Sequence, residues 1–194
     1  GDLHFILSTP IGQPLLGLDF RCIDVRSVGR QMLKILEQVH AVGIHWNFSP
    51  VLDLARDPRW PRFWETFGED PHLVSAMGTA MVDGYQNSGV PFAATLKHFF
   101  GYGFSLSGKD RTPAWIPERQ LREYFLPPFK AAIDAGAMSI MVNSGEINGV
   151  PVHSSKALLT DLLRDELGFE GLLVTDWEDV KYLFTRHMVA EDYK

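Results

Sequence analysis

Four times along this 194-residue chain a short run rich in aliphatic and β-branched residues gives way to a stretch with helical spacing, and this alternation limits the fold more than any other feature. The runs are "GIHWNFSPV" (43–51), "FAATLKHF" (92–99), "AMSIMVN" (137–143) and "GLLVTD" (171–176). Helices are expected near 71–88, 118–135 and 156–167, with an earlier one at roughly 25–42. Strand–helix–strand order predicts parallel strands joined by right-handed crossovers. The runs "SIMV" and "LLVT" are apolar on both faces, which suits a sheet covered on both sides. A doubly wound open sheet and part of a (β/α)8 barrel both satisfy these constraints. An intact barrel takes about 250 residues, and only four or five strands are legible here. The expected fold is therefore an incomplete (β/α)8, TIM-like barrel, with residues 1–194 as part of one barrel domain. In "GEDP" (68–71), Asp70 is the expected cap of the helix at 71 and Pro71 its first residue.

Several function classes are disfavoured at once. The net charge is -6 and no Lys/Arg cluster appears, so nucleic acid is not an expected partner. No apolar run approaches the roughly 20 residues that span a bilayer. The lone Cys22 excludes an internal disulfide. No HExxH-like spacing suggests a metal, and no cofactor is expected. "GYGFSLSG" (101–108) lacks dinucleotide-loop spacing, and Ser8, Ser144 and Ser154 lack the G-x-S-x-G elbow of a hydrolase. "GDLHFILSTP" has neither a basic n-region nor an apolar h-region, and "HMVAEDYK" does not read as a finished C-terminus. The expectation is a piece of a longer polypeptide.

In parallel α/β folds the working residues sit at the C-terminal ends of the strands. All four runs here turn polar at that end. The first leads into Asp53, Arg56 and Asp57; the second ends in Lys97 and His98. The third ends at Asn143 and Ser144 with Glu146 behind, and the fourth at Asp176. An ionised carboxylate closing a buried strand costs desolvation free energy unless something compensates. Plainer roles stay open for each. Asp176 reads also as a helix cap, His98 as a core histidine, and Arg56 with Asp57 as a local ion pair. Trp60, Trp64 and Phe67 read either as packing or as a platform for a flat ligand.

The segments "GIHWNFSPVLDLARDPRWPRFWETFGEDP" (43–71), "TLKHFFGYG" (95–103) and "MVNSGEINGVPVHSSKALLTDLLRDELGFEGLLVTDWEDV" (141–180), in this order, resemble the N-terminal barrel of glycoside hydrolase family 3, the β-glucosidase type. The resemblance implies a retaining, exo-acting glycosidase for terminal β-D-glucosyl residues, with a carbohydrate substrate as its partner. It implies that Asp176, in "TDW", is the nucleophile. Lys97 and His98, in "KHF", and Arg56, before "DPRW", would bind hydroxyls of the deepest sugar. Trp177 would line the pocket. Family relatives work in extracellular, periplasmic or lysosomal compartments.

The departures from the family pattern are specific. The upstream sugar-binding Asp segment is not found, and "GLDF" (17–20) lies too close to "GIHWNFSP" for Asp19 to take that role. Pro61 replaces a common Gly, and Ser144 stands where several relatives have a pocket tyrosine. The general acid/base of two-domain members is a Glu in a C-terminal domain, which is expected beyond these residues. The "D-S-H" histidine of the N-acetylglucosaminidase branch is missing from "GFSLSGKDRTPAW". Glu146 is the best local alternative donor on position alone. The competing expectation is a non-catalytic, carbohydrate-binding barrel fragment.

Overall fold

Three parallel strands form the sheet that positions the strand-end residues: β1 (Thr95–Phe99), β2 (Ser139–Val142) and β5 (Leu172–Val174), in the spatial order β1-β2-β5. The computed structural model describes residue 25 and residues 36–192. Much of the helix expected at 25–42, together with Cys22, Asp19 and Ser8, lies outside the described residues; residues 36–41 are helical. The expected strand at 43–51 runs parallel to β1 but appears as two isolated bridges, Trp46 with Ala93 and Val51 with Lys97. Backbone bonds from Thr95 N to Ser49 O, from Lys97 N to Pro50 O and from Leu52 N to Lys97 O continue the ladder. Pro50 has no N–H to contribute to it.

Helix α1 (Pro71–Gln86) begins as its sequence predicts, with His72 N–H donating to Asp70 Oδ1 at 2.9 Å and Pro71 at the first position. Its buried face, including Val74, Met77, Met81 and Val82, packs with Leu96, Phe99, Phe129 and Ile140 into the main core. Helix α2 covers residues 118–134 and contains a wide π turn, Leu121–Phe125, immediately before Pro127 and Pro128. Neither proline can donate to the carbonyl four residues back, and its ring would collide with that carbonyl in a regular turn; the wider turn relieves both. Helix α3 (Ala157–Glu166) is wound with π geometry, and the short α4 (Asp179–Thr185) follows β5. None of the helices among the described residues is long and apolar enough to cross a membrane.

A hairpin, β3 (Glu146–Ile147) with β4 (Val150–Pro151), falls between β2 and α3. Its Asn148-Gly149 turn has φ of 52° and 83°, the left-handed pair that Asn-Gly supplies at low cost. The Asn148 side chain bonds both Ile116 N and Ile116 O at 2.8 Å. Ala114 bridges Ile147, so the hairpin ties down the long loop that follows β1.

That loop is also fixed at Gly103. A Cβ there would lie 2.8 Å from Leu54 O and 3.0 Å from the Trp60 ring. The backbone carbonyl has little room to yield, so Gly103→Ala is expected to cost about 1–3 kcal/mol. Chemical denaturation checks this; an unchanged midpoint would show that the loop relaxes freely.

Candidate active site

The floor of the site is a buried pair at the C-terminal end of β1. All five residues of β1 are buried, Lys97 and His98 included. Asp53 Oδ2 accepts from the His98 backbone N–H at 3.1 Å and lies 2.7 Å from His98 Nδ1. Burial pushes Asp53 up to about 7, against the opposing charge of Arg62 and the His98 N–H. Burial pushes His98 well below its ordinary range, reinforced by the charges of Arg62, Lys97 and Arg111. Both the burial and the surrounding cations favour the neutral imidazole of His98. With Nδ1–H donated to Asp53, its Nε2 carries a lone pair, and Arg62 Nη1 sits 3.0 Å from it as donor.

Arg62 is oriented by a two-point pair with Glu65, at 2.9 and 2.7 Å. Its Nη1 lies 3.8 Å from Asp176 Oδ2. The loop carrying it is anchored by Trp60, only 1% exposed, which stands edge-on to Tyr102 at 5.3 Å and donates Nε1–H to Asp110. Of the three aromatics in this stretch, Trp60 is core, Phe67 packs against the core and Trp64 is 84% exposed. They do not form one platform. Arg56 also points elsewhere: its guanidinium lies 4.8 Å from the Tyr124 ring centre and 5.4 Å from that of Phe104, with Nη1 buried. Nor does Arg56 pair with Asp57, whose carboxylate is held by Arg59 at 2.7 Å.

Asp176 follows β5 and points toward the same residues. It is not the cap of the next helix: α4 starts at Asp179, while Asp176 Oδ1 accepts from the neighbouring Trp177 N–H at 2.5 Å. Arg111 Nη2 lies 3.1 Å from that same oxygen. The other oxygen, Oδ2, is 3.6 Å from His98 Nε2 and 3.4 Å from Ser144 Oγ. Lys97 is buried beside them, and burial pushes it down to about 8, with Arg62 adding repulsion and Glu65, Asp176 and Asp53 opposing. Trp177 is 74% exposed at the rim.

Asp176, Lys97 and His98 are thus brought together, Trp177 stands at the edge, and Arg62 occupies the place expected of Arg56. Asp53, one of the polar residues expected after the first run, lies beneath His98, and three further residues join them without having been singled out from the sequence: Arg62, Arg111 and Asp179. Asp179 is buried; it accepts from Ser144 Oγ at 2.7 Å and pairs with Arg111 Nη1 at 3.1 Å. Burial pushes it up to about 6, against the Ser144 hydrogen bond and the Arg111 charge. Glu146 is engaged by His187 Nδ1 at 2.6 Å. The described residues hold no group of three or more His, Cys, Asp or Glu arranged for a metal. What the arrangement offers chemically is one partly exposed carboxylate amid Arg62, Lys97 and Arg111, next to further hydrogen-bonding groups.

Comparison with known proteins bears on the family and the fold. The model of the "Glycosyl hydrolase family 3 N terminal domain" matches residues 15–194. The chain is 54% identical to a lysosomal beta glucosidase of Dictyostelium discoideum, over 77% of this chain and 20% of that protein. It is 37% identical to a periplasmic beta-glucosidase of Salmonella typhimurium, over 91% of this chain and 23% of the other. The crystal structure of a beta-glucosidase from Listeria innocua in complex with glucose superposes with a TM-score of 0.82 at 38% identity, covering 87% of this chain and 24% of that one. The three-stranded parallel sheet and its helices are accordingly part of a (β/α)8 barrel. The chain spans about a fifth to a quarter of the length of these relatives. Sequence and architecture together establish that the chain belongs to glycosyl hydrolase family 3 and falls within the N-terminal domain of that family.

Proposed function

We propose that these residues are the nucleophile-bearing part of a retaining, exo-acting glycosidase that removes terminal β-D-glucosyl residues. The observation that carries the reading is the Asp176 carboxylate at the end of β5, its Oδ2 facing His98 and Arg62 at 3.6 and 3.8 Å. A retaining glycosidase needs a carboxylate nucleophile on one face of the sugar and a proton donor about 5–5.5 Å away on the other. Asp176 takes the first role. Lys97, His98 and Arg62 bind sugar hydroxyls, and such groups discriminate strongly because a ligand lacking the hydroxyl leaves them unpaired. Trp177 forms the outer wall.

The proton donor is assigned to a further domain of the complete polypeptide. Two local carboxylates near the site are already committed, Glu146 to His187 and Asp179 to Ser144 and Arg111. The small fraction of each relative that this chain spans supports the same assignment. Relatives named lysosomal and periplasmic support a working compartment outside the cytosol.

The test uses 2-deoxy-2-fluoro-β-glucosyl fluoride, whose fluoride leaves with little protonation, so the outcome does not depend on where the donor lies. Digestion and mass spectrometry are expected to find one glycosyl adduct, on Asp176. An adduct on another carboxylate would overturn the nucleophile assignment. Sugar binding with no adduct would favour a carbohydrate-binding role.

A further inference from the structure

The two oxygens of the Asp176 carboxylate differ in their surroundings. Oδ1 accepts a hydrogen bond from the Trp177 N–H at 2.5 Å and makes an ion-pair contact with Arg111 Nη2 at 3.1 Å. Oδ2 has no partner that close. Its nearest neighbours are Ser144 Oγ at 3.4 Å, His98 Nε2 at 3.6 Å and Arg62 Nη1 at 3.8 Å. A serine hydroxyl has one proton to donate, and Ser144 gives it to Asp179 Oδ2 at 2.7 Å. His98 Nε2 carries a lone pair and accepts from Arg62. Oδ2 is therefore the more weakly engaged oxygen, with only the long Ser144 contact, whereas Oδ1 is held at close range.

Arg111 is itself held on several sides. Its Nη1 donates to Trp177 O at 2.9 Å and to Asp179 Oδ1 at 3.1 Å, and its guanidinium lies 5.8 Å from the centre of the Tyr182 ring. Arg111 and Glu178 both adopt positive φ, 53° and 58°. Left-handed backbone at a non-glycine residue is unfavourable and persists only where the surroundings impose it. Both occurrences flank the Arg111–Asp179 contact: one at the arginine, the other just before the aspartate.

We propose that Arg111 is a positioning residue that, with the Trp177 N–H, holds Oδ1 of Asp176 and presents Oδ2 as the attacking oxygen. Asp179 and Ser144 complete the device by holding Arg111 and by keeping the Ser144 proton away from Oδ2. The inference rests on the reading of Asp176 as a glycosidase nucleophile. In the step it serves, an Oδ2 lone pair forms the bond to the anomeric carbon while the bond to the leaving group breaks, its electron pair departing with that group. Oδ1 becomes the carbonyl oxygen of the resulting ester and keeps the Trp177 N–H and Arg111 beside it. Without Arg111 the carboxylate can rotate about its Cβ–Cγ bond, and only part of the population presents the weakly engaged oxygen.

The test follows inactivation of the complete polypeptide by 2-deoxy-2-fluoro-β-glucosyl fluoride, with separate determination of the rate at saturation and of the probe's half-saturating concentration. Arg111→Ala is expected to lower the saturated rate roughly 10- to 100-fold, the range for losing a close charged contact, with half-saturation unchanged. Millimolar guanidinium is expected to restore a severalfold part of that loss, which a merely structural defect would not permit. Should Arg111→Ala fail to fold, Arg111→Lys serves instead. An ammonium lacks the planar fork that meets two carboxylates at once, so the rate at saturation is again expected to fall. With the wild type labelled on Asp176, an unchanged rate, a change confined to half-saturation, or a folded Arg111→Ala that guanidinium does not restore would each overturn the role of Arg111. A wild type not labelled on Asp176 would overturn the glycosidase reading and this inference with it.

Discussion

Asp176→Asn is expected to lower turnover of an aryl β-glucoside by the complete polypeptide more than roughly a thousandfold, as removal of a covalent nucleophile does in other enzymes. The amide keeps the shape of the side chain but not the charge or the nucleophilic oxygen. The fold should tolerate the change. Arg111 retains Asp179 as a partner, and Arg62 retains Glu65. Truncation to Asp176→Gly makes the test sharper, because azide then fits the vacated space and attacks the anomeric carbon directly. The expected product is an α-glucosyl azide, one inversion in place of two. Near-normal activity of Asp176→Asn, or a β-configured azide from Asp176→Gly, would remove Asp176 from the chemistry.

Lys97→Met is expected to move stability and affinity in opposite directions. Lys97 is buried, and its pKa is pushed from 10.5 down to about 8. At 1.36 kcal/mol for each pKa unit, holding the ammonium in this site at neutral pH costs about 3 kcal/mol. The sign follows from proton uptake. Between pH 8 and 10.5 the unfolded chain binds the Lys97 proton more tightly than the folded one, so the penalty is complete below the folded value and fades as pH rises toward the unfolded value. Methionine has similar length and no charge, so Lys97→Met should stabilise the chain by about 1–3 kcal/mol near pH 7 and by less near pH 10. On the proposed reading the same substitution removes a charged donor from the sugar, and affinity for glucose should fall roughly 10- to 100-fold. Denaturation at the two pH values and calorimetric titration with glucose measure both. A loss of stability with unaltered affinity would make Lys97 a structural residue.

These two residues were the easiest to find in advance. Each stands where an apolar strand turns polar at its C-terminal end, and strand periodicity is written in the local sequence. The helix entry at Asp70 and Pro71 was legible for the same reason: a cap is a matter of neighbouring residues. The Asn148-Gly149 hairpin also carried a local signal. It sits inside a stretch otherwise marked only by its strand end and its following helix.

Arg62 illustrates the opposite case. Arg56 and Arg62 lie in one irregular loop with no repeating period, and nothing local says which way either side chain points. The decision comes from burial of Trp60 against Tyr102 and Gly103, which swings the following turn so that Arg62 meets His98. Arg56 is left against Phe104, Tyr124 and Phe125. Arg111 and Asp179 are 68 residues apart in sequence, and their contact depends on the loop after β1 being tied to the β3–β4 hairpin.

The sequence by itself determined the parallel α/β class, the strand ends at which chemistry collects, and the identity of Asp176, Lys97 and His98 as their polar residues. Periodicity, caps and strand ends are set by neighbours along the chain, so they can be recognised there. Only the tertiary structure decided that Arg62 meets His98, that His98 stands on a buried Asp53, and that Arg111 reaches both Asp176 and Asp179. Side-chain direction in loops, and the protonation that follows from burial, depend on groups tens of residues away, and those groups meet only when the core has formed.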